Sequence, residues 1–238
     1  MKVTYIEHSC FSVELDNVIL IFDYYNGIIP AFDAQKTIYI FSSHKHQDHF
    51  SLDIFSLMKD YPNVHYILSR DIKRKYNQKF FFNHGISENI YKKITFIGGN
   101  DVLENSDLKV ETLISTDAGV AFIATVNNKT IYHAGDLNLW ISNFDSDDDN
   151  KKITVHFERE INKLKGRHFD LAFLPLDPRL EEYFHLGFDY FMNTTDTDKA
   201  YAMHFWKDNS VIDRLKSMDC SKSYRDKIAD ISDYGIIK

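Results

Sequence analysis

Short apolar runs rich in Val, Ile, Phe and Tyr recur along the chain, separated by polar and turn-forming residues. The clearest are "KVTYIE", "CFSVEL", "VILIFD", "TIYIFS", "VHYILS", "ITFIGG", "LKVETLIS", "VAFIATV", "TIYHAGD", "DLAFLPL" and "AYAMHF". Their length and their β-branched and aromatic content predict strands. Two tight hairpins are predicted, one where Asp16-Asn17 separates "FSVEL" from "VILIFD", the other where Asn127-Asn128 separates "AFIATV" from "KTIYHAGD". Asn and Asp tolerate the positive φ that such turns require. Helices are predicted between strands, at about 51–60, 70–78, 154–165, 208–217 and 223–230. Leu52, Phe55 and Met58 share one face of the first, and Val211, Ile212 and Leu215 one face of the fourth. Each hairpin stops at an aspartate, Asp23 in one and Asp136 in the other, a pattern that fits two similar halves. The mix of elements predicts an α+β fold with two β-sheets packed face to face and helices outside.

Composition narrows the picture. At 238 residues, with 44% apolar and 15% aromatic positions, the chain is long and apolar enough for a substantial core, and no linker divides it. A single domain over 1–238 is expected. The formal net charge of −7 disfavours an extended nucleic-acid surface, which needs clustered Lys and Arg. The only cysteines, Cys10 and Cys220, make no disulfide framework, so a reducing cytoplasm is expected. No run is long and apolar enough to suit a membrane, and the N-terminus lacks the apolar core of a signal peptide. The acidic stretch "DSDDDNKK", 145–152, is expected to be an exposed, mobile loop.

The chemistry concentrates in "FSSHKHQDHF", 41–50, where His44, His46, Asp48 and His49 crowd together. Core packing calls for no such density. In extended backbone, residues i and i+2 point the same way, so His44 and His46 can offer two imidazoles to one ion. Asp48 and His49, at the turn into the next helix, aim at a second point nearby. Complementary ligand types stand elsewhere: "HAGD" ends a strand at Asp136, and "YAMHFW" ends another at His204. Imidazole and carboxylate together suit Zn, Fe or Mn.

With these motifs in this order, the chain resembles the metallo-β-lactamase-fold hydrolases from near its N-terminus to about Trp206. The resemblance implies an αββα four-layer sandwich with one or two metal ions at one edge, zinc by preference, with Mn or Fe as alternatives. It implies His44 and His46 as ligands of a first ion, Asp48, His49 and His204 as ligands of a second, and Asp136 as a bridge. Asp23 matches the strand-end aspartate that supports the metal loop without touching an ion. One departure stands out. The third histidine usual for the first ion has no counterpart in "LISTDAGVAF". Thr116 falls closest to its position, and the adjacent Asp117 either completes the ligand set or caps the turn before Gly119.

Other residues keep two readings each. His133 either packs in the core or supports the site from behind. His8, Arg179 and His185 either contact substrate or serve the structure, Arg179 as the holder of an anionic group. The expected function is hydrolysis of a small polar ester, lactone or phosphodiester by metal-activated water, with Asp48 orienting that water. The alternatives are a non-catalytic or sensory metal binder, which the missing histidine favours, and a nuclease-type phosphodiesterase, which the acidity disfavours. A small molecule is the expected partner; neither a membrane nor a nucleic acid is.

Overall fold

The computed structural model describes residues 1–235, the side chain of Met58 excepted. One sheet contains β1 (Lys2–Glu7), β2 (Cys10–Glu14), β3 (Val18–Phe22), β4 (Thr37–Ser42), β5 (Val64–Ser69) and β6 (Ile94–Ile97), in that order. The other contains β7 (Val102–Glu104), β8 (Lys109–Ile114), β9 (Val120–Val126), β10 (Lys129–His133), β11 (His168–Pro175) and β12 (Asp196–Met203), ordered β12-β11-β10-β9-β8-β7. In the first, β1 to β3 are antiparallel and β3 to β6 parallel. In the second, β7 to β10 are antiparallel and β10 to β12 parallel. Each half therefore passes from a hairpin into parallel strands, the likeness that the two aspartate-ended hairpins predicted.

The apolar runs sort by alternation. In β3, Val18, Leu20 and Phe22 join the core between the sheets, while Ile19 and Ile21 face an outer layer with Ile54, Phe55 and Ile72. In β4, Tyr39 and Phe41 face inward, and Ile38 and Ile40 outward. Strands covered on both faces carry no polar alternation, which is why these stretches read as unbroken apolar runs. Rings cross the interface: Phe11 lies 4.5 Å from Phe173, and Phe41 lies 5.1 Å from Phe122. Burying each such ring contributes about 1.5–3 kcal/mol. Helices α1 (Arg70–Lys75), α2 (Gln78–Asn83) and α3 (Glu88–Tyr91) accompany the first sheet, and α4 (Asp147–Asn162), α5 (Leu186–Thr194) and α6 (Ser210–Ser217) the second. The α+β, αββα reading of the sequence is the observed architecture.

Several local expectations are corrected. The segment predicted as a helix at 51–60 is a 3-10 helix, Leu52–Lys59, capped by Ser51 accepting from the Asp53 N–H. Leu52 and Phe55 pack inward from it as predicted, and Met58's side chain is outside the described residues. The helix predicted at 70–78 breaks at Tyr76, and Asn77 caps a second helix through a 3.0 Å bond from the Phe80 N–H. The acidic stretch is no loop. Ser146 caps α4, and Asp147, Asp148 and Asp149 fill its first turn, where the helix dipole favours carboxylates. The region 223–230 yields only a short 3-10 turn, Arg225–Lys227. Asn127 and Asn128 have the predicted positive φ, 51° and 60°, but the turn at Asp16-Asn17 closes without it. The three-residue edge strand β7 was too short for the pattern to reveal.

The ends of β3, β4, β10, β11 and β12 and the turn between β1 and β2 lie at one edge, outside the carboxyl ends of the parallel strands, where open sheets commonly place their sites. A close backbone approach joins the halves there. Val120 N–H donates to Ser43 O at 3.0 Å, and at the preceding Gly119 (φ +66°) a Cβ would sit 1.9 Å from that oxygen. Only glycine fits. Among the described residues no helix is long and apolar enough to cross a membrane.

Candidate metal centre

Beyond β4 the chain does not remain extended: residues 43–49 pass through bends and a turn. The i, i+2 argument for His44 and His46 is corrected accordingly. Their rings stand nearly perpendicular, at 86° with centroids 4.6 Å apart. His44 presents Nε2 to Asp136 Oδ2 at 3.5 Å, whereas His46 presents Nδ1 to Asp117 Oδ2 at 3.2 Å.

Buried partners fix the other imidazoles. Asp23, wholly buried at the end of β3, accepts from the Ser43 N–H and hydroxyl, both at 2.6 Å, and from His49 Nδ1 at 2.8 Å. His49 Nε2 is thereby left with a free lone pair. With its hydroxyl hydrogen given to Asp23, Ser43 Oγ accepts from His44 Nδ1 at 3.0 Å, which frees His44 Nε2 in the same way. At the end of β11, buried Asp177 accepts from His204 Nδ1 at 2.9 Å and frees the third Nε2. Such partners set tautomer and ring orientation in metal-binding histidines. His133 also serves the site's frame. It donates from Nε2 to Ser9 O at 2.9 Å, accepts the Gly135 N–H at 3.1 Å, and stacks on Phe22 at 4.8 Å.

The side chains form two adjoining groups, each with ligand atoms within 4.8 Å of one another: His8, Asp48, His49 and His204, and His44, His46, Asp117 and Asp136. Asp136 touches both. Its Oδ1 lies 3.2 Å from His49 Nε2 and 3.7 Å from His204 Nε2, and its Oδ2 faces His44. Thr116, nearest the place of the expected third histidine, is turned away. It bonds the Asn138 carbonyl at 2.7 Å and accepts the Asn138 N–H at 3.1 Å. Asp117 occupies the position facing His46 instead.

The donor chemistry fits a divalent ion. Two donors on one Zn²⁺ at about 2.0–2.2 Å lie roughly 3 Å apart, close to the separations within each group. His8 Nε2, His44 Nε2, His49 Nε2 and Asp136 Oδ1 are buried and have no hydrogen-bond partner. Buried polar groups are rarely left so. Burial pushes the His44 imidazole down to about 2, with His49 adding to the effect, and lowers His49 and His204 as well, so all three present lone pairs at neutral pH. Burial drives the Asp136 carboxyl well above the usual range, reinforced by Asp117, Asp23 and Asp48. A cation is the partner that this collection of lone pairs and carboxylates suits. A third compatible group, His168, Asp170 and Asp198, is different in kind: His168 bonds Asp196 at 3.0 Å and Asp170 bonds Lys129 at 2.6 Å.

The groups open into a cleft of about 430 Å³ lined by His46, Asp117, Trp140, Ile153, Arg179 and Trp206 among others. Arg179 is clamped, with Nε and Nη2 on Asp177 and its guanidinium 4.6 Å above the Trp206 ring. His185 is not among the residues lining the cleft and packs against Phe184, which is the structural one of its two readings. Sequence reasoning passed over Asp177. The available signal was its place, an aspartate just beyond the end of a buried strand, much as Asp23 is. Trp140, whose Nε1 donates to Asp136 O at 2.8 Å, left no such sign.

The chain belongs to the beta-lactamase superfamily: the family model of the beta-lactamase superfamily domain matches residues 2–151. A protein of Nanoarchaeum equitans named as a metal-dependent hydrolase is 29% identical over 138 residues, 57% of this chain and 60% of that relative. The match thus spans less than two thirds of its length. Among solved structures, one from Parabacteroides distasonis, provisionally named a metal-dependent hydrolase, superposes with a TM-score of 0.61 at 17% identity, covering 95% of this chain and 90% of that one. A metallo hydrolase of the hyperthermophilic archaeon Ignicoccus hospitalis gives 0.61 at 15% identity, over 96% and 94%.

Proposed function

We propose that this chain is a metal-dependent hydrolase acting on a small polar ester, lactone or phosphodiester, with Zn²⁺, or alternatively Mn or Fe, held by His44, His46, Asp48, His49, Asp117, Asp136 and His204. The observation that carries this reading is the convergence of imidazoles and carboxylates from five separate strand ends and turns, four of whose atoms, His8 Nε2, His44 Nε2, His49 Nε2 and Asp136 Oδ1, are buried with no hydrogen-bond partner. An ion held there supplies Lewis acidity, polarising a carbonyl or phosphoryl oxygen and bringing the pKa of water toward roughly 7. Asp48 would orient water there and accept its proton. It lines the cleft, is partly exposed, and keeps Oδ2 3.4 Å from His8 and 3.8 Å from His49. Asp23, Ser43 and Asp177 hold the imidazoles in one tautomer. Arg179, fixed by Asp177 and Trp206, turns a guanidinium edge to an anionic substrate group. The indoles of Trp140 and Trp206 narrow the cleft and exclude water. Two unpaired thiols and an acidic surface suit a cytoplasmic enzyme.

The test is metal analysis of the purified protein, followed by a screen of esters, lactones and phosphodiesters with metal-loaded enzyme. Turnover that chelation abolishes, metal restores and His49→Ala eliminates is the expected result. Tightly held metal with no turnover on any substrate class would favour the sensory metal binder, the second reading that the absent third histidine supports.

A further inference from the structure

We propose that His8 is itself a metal ligand, and that the half of the centre it completes, with Asp48, His49 and His204, binds its ion first and releases it last. The assignment rests on reading the cluster as a metal centre, not on hydrolysis. Three observations carry it. His8 is 4% exposed, yet its Nε2 has no hydrogen-bond partner and points into the group, 3.4 Å from Asp48 Oδ2. Its backbone is held in the left-handed region, φ 55°, which costs a non-glycine residue energy and persists where surroundings enforce it. Those surroundings are specific: the His8 N–H donates to Tyr5 Oη at 2.8 Å, and its carbonyl accepts from the His204 N–H at 3.3 Å. A turn residue serving only to pack would need neither the strain nor the aim.

The count of donors then separates the halves. The group beside Asp136 Oδ1, with His49 at 3.2 Å and His204 at 3.7 Å from that oxygen, offers three imidazoles and Asp48; the group that contains Asp136 itself, with Oδ2 3.5 Å from His44, offers two imidazoles and Asp117. The first set is buried except for Asp48, and the rings of His49 and His204 are each braced by a buried aspartate. In the second, the His46 and Asp117 side chains are 45% and 41% exposed. Affinity for a borderline ion such as Zn²⁺ follows imidazole number and preorganisation. The histidine missing near position 116 is in effect balanced by one at position 8, on the other ion.

The experiment titrates metal-free protein with Co²⁺, followed by visible absorption, and measures Zn²⁺ retained after gel filtration against a mild chelator. The wild type, His8→Gln and Asp117→Asn are compared, with circular dichroism as the check on folding. Expected is biphasic Co²⁺ binding in the wild type. His8→Gln should weaken the tight phase by more than the roughly 10–100-fold typical of an outer-shell partner. Asp117→Asn should weaken only the loose phase. If His8→Gln is misfolded, the paramagnetically shifted imidazole signals of wild type with one Co²⁺ decide, three supporting the proposal and two overturning it. Unchanged tight binding in folded His8→Gln, or loss of the tight ion in Asp117→Asn, overturns it while leaving the metal centre standing. A wild type that binds no Co²⁺ or Zn²⁺ removes both.

Discussion

The two sides of Asp136 are built in opposite ways from similar parts. On one side, His49 and His204 are sealed from solvent, and each has Nδ1 on a wholly buried aspartate. On the other, His46 and Asp117 stand at the mouth of the cleft and face each other, with His44 behind them. Hydrogen bonds to charged groups are each worth about 1.5–3 kcal/mol, so the buried rings are locked before any ligand arrives. An exposed side chain must instead be ordered at the moment of use, costing up to about 1.5–2 kcal/mol for the longer, freer ones. The fold thus makes one rigid half and one adjustable half, and the adjustable one borders the substrate cleft.

The largest effect should come from the residue both halves share. Asp136→Asn removes the carboxylate charge between the groups while keeping its shape. Metal analysis should show both ions weakened, and kcat/KM on any substrate found in the screen should fall by well over the roughly 100-fold of an outer-shell change. A variant that lost only one ion would break the claim that Asp136 joins the halves. Chelation of the wild type should act similarly on stability. An ion present at 100 times its Kd contributes about 2.7 kcal/mol, so melting followed by calorimetry should fall by several degrees on its removal.

Next come the braces. Asp23→Asn and Asp177→Asn each take a charge from behind one imidazole, and each should lower affinity on the buried side by roughly 10–100-fold. They differ in a second readout. Asp177 also accepts from the Arg179 N–H, Nε and Nη2 and from Trp206 Nε1, so Asp177→Asn loosens the cleft wall. Its KM for anionic substrates should rise, and that of Asp23→Asn should not. Although burial opposes it, bonding from His204 and Arg179 holds the Asp177 carboxyl below its ordinary range. The charge removed is therefore present at working pH.

What the sequence disclosed follows the same division. The strands and both apolar faces of β3 and β4 were legible, because a central strand covered on both sides must be apolar throughout. The cluster from His44 to His49 was legible from density alone. His8 and Asp177 were not assigned to the centre, since each is a lone residue whose meaning lies in one contact: His8 with His204 from the far end of the chain, and Asp177 with the same His204, 27 positions away. The helical start at Ser146 was missed for a local reason: three consecutive aspartates read as a solvated run unless the preceding serine is taken as a cap. The turn geometry of residues 43–49 was missed because i, i+2 spacing was read as strand, when the bend itself aims the two rings.

The smallest effect, and the sharpest comparison, should come from Asp117→His. It gives the exposed half the third imidazole that the family resemblance leads one to expect, while leaving the Thr116 bonds to the Asn138 backbone in place. Imidazole for carboxylate favours Zn²⁺ over the harder Mn²⁺. Competition titrations should therefore show Zn²⁺ binding at the looser half tightened and Mn²⁺ binding weakened, each by about tenfold, equivalent to about 1.4 kcal/mol. The tight half should not change, because none of its buried donors is touched. A shift in the tight phase would mean that the halves are coupled through Asp136 more strongly than their separate bracing allows, and the division into a rigid and an adjustable side would have to be given up.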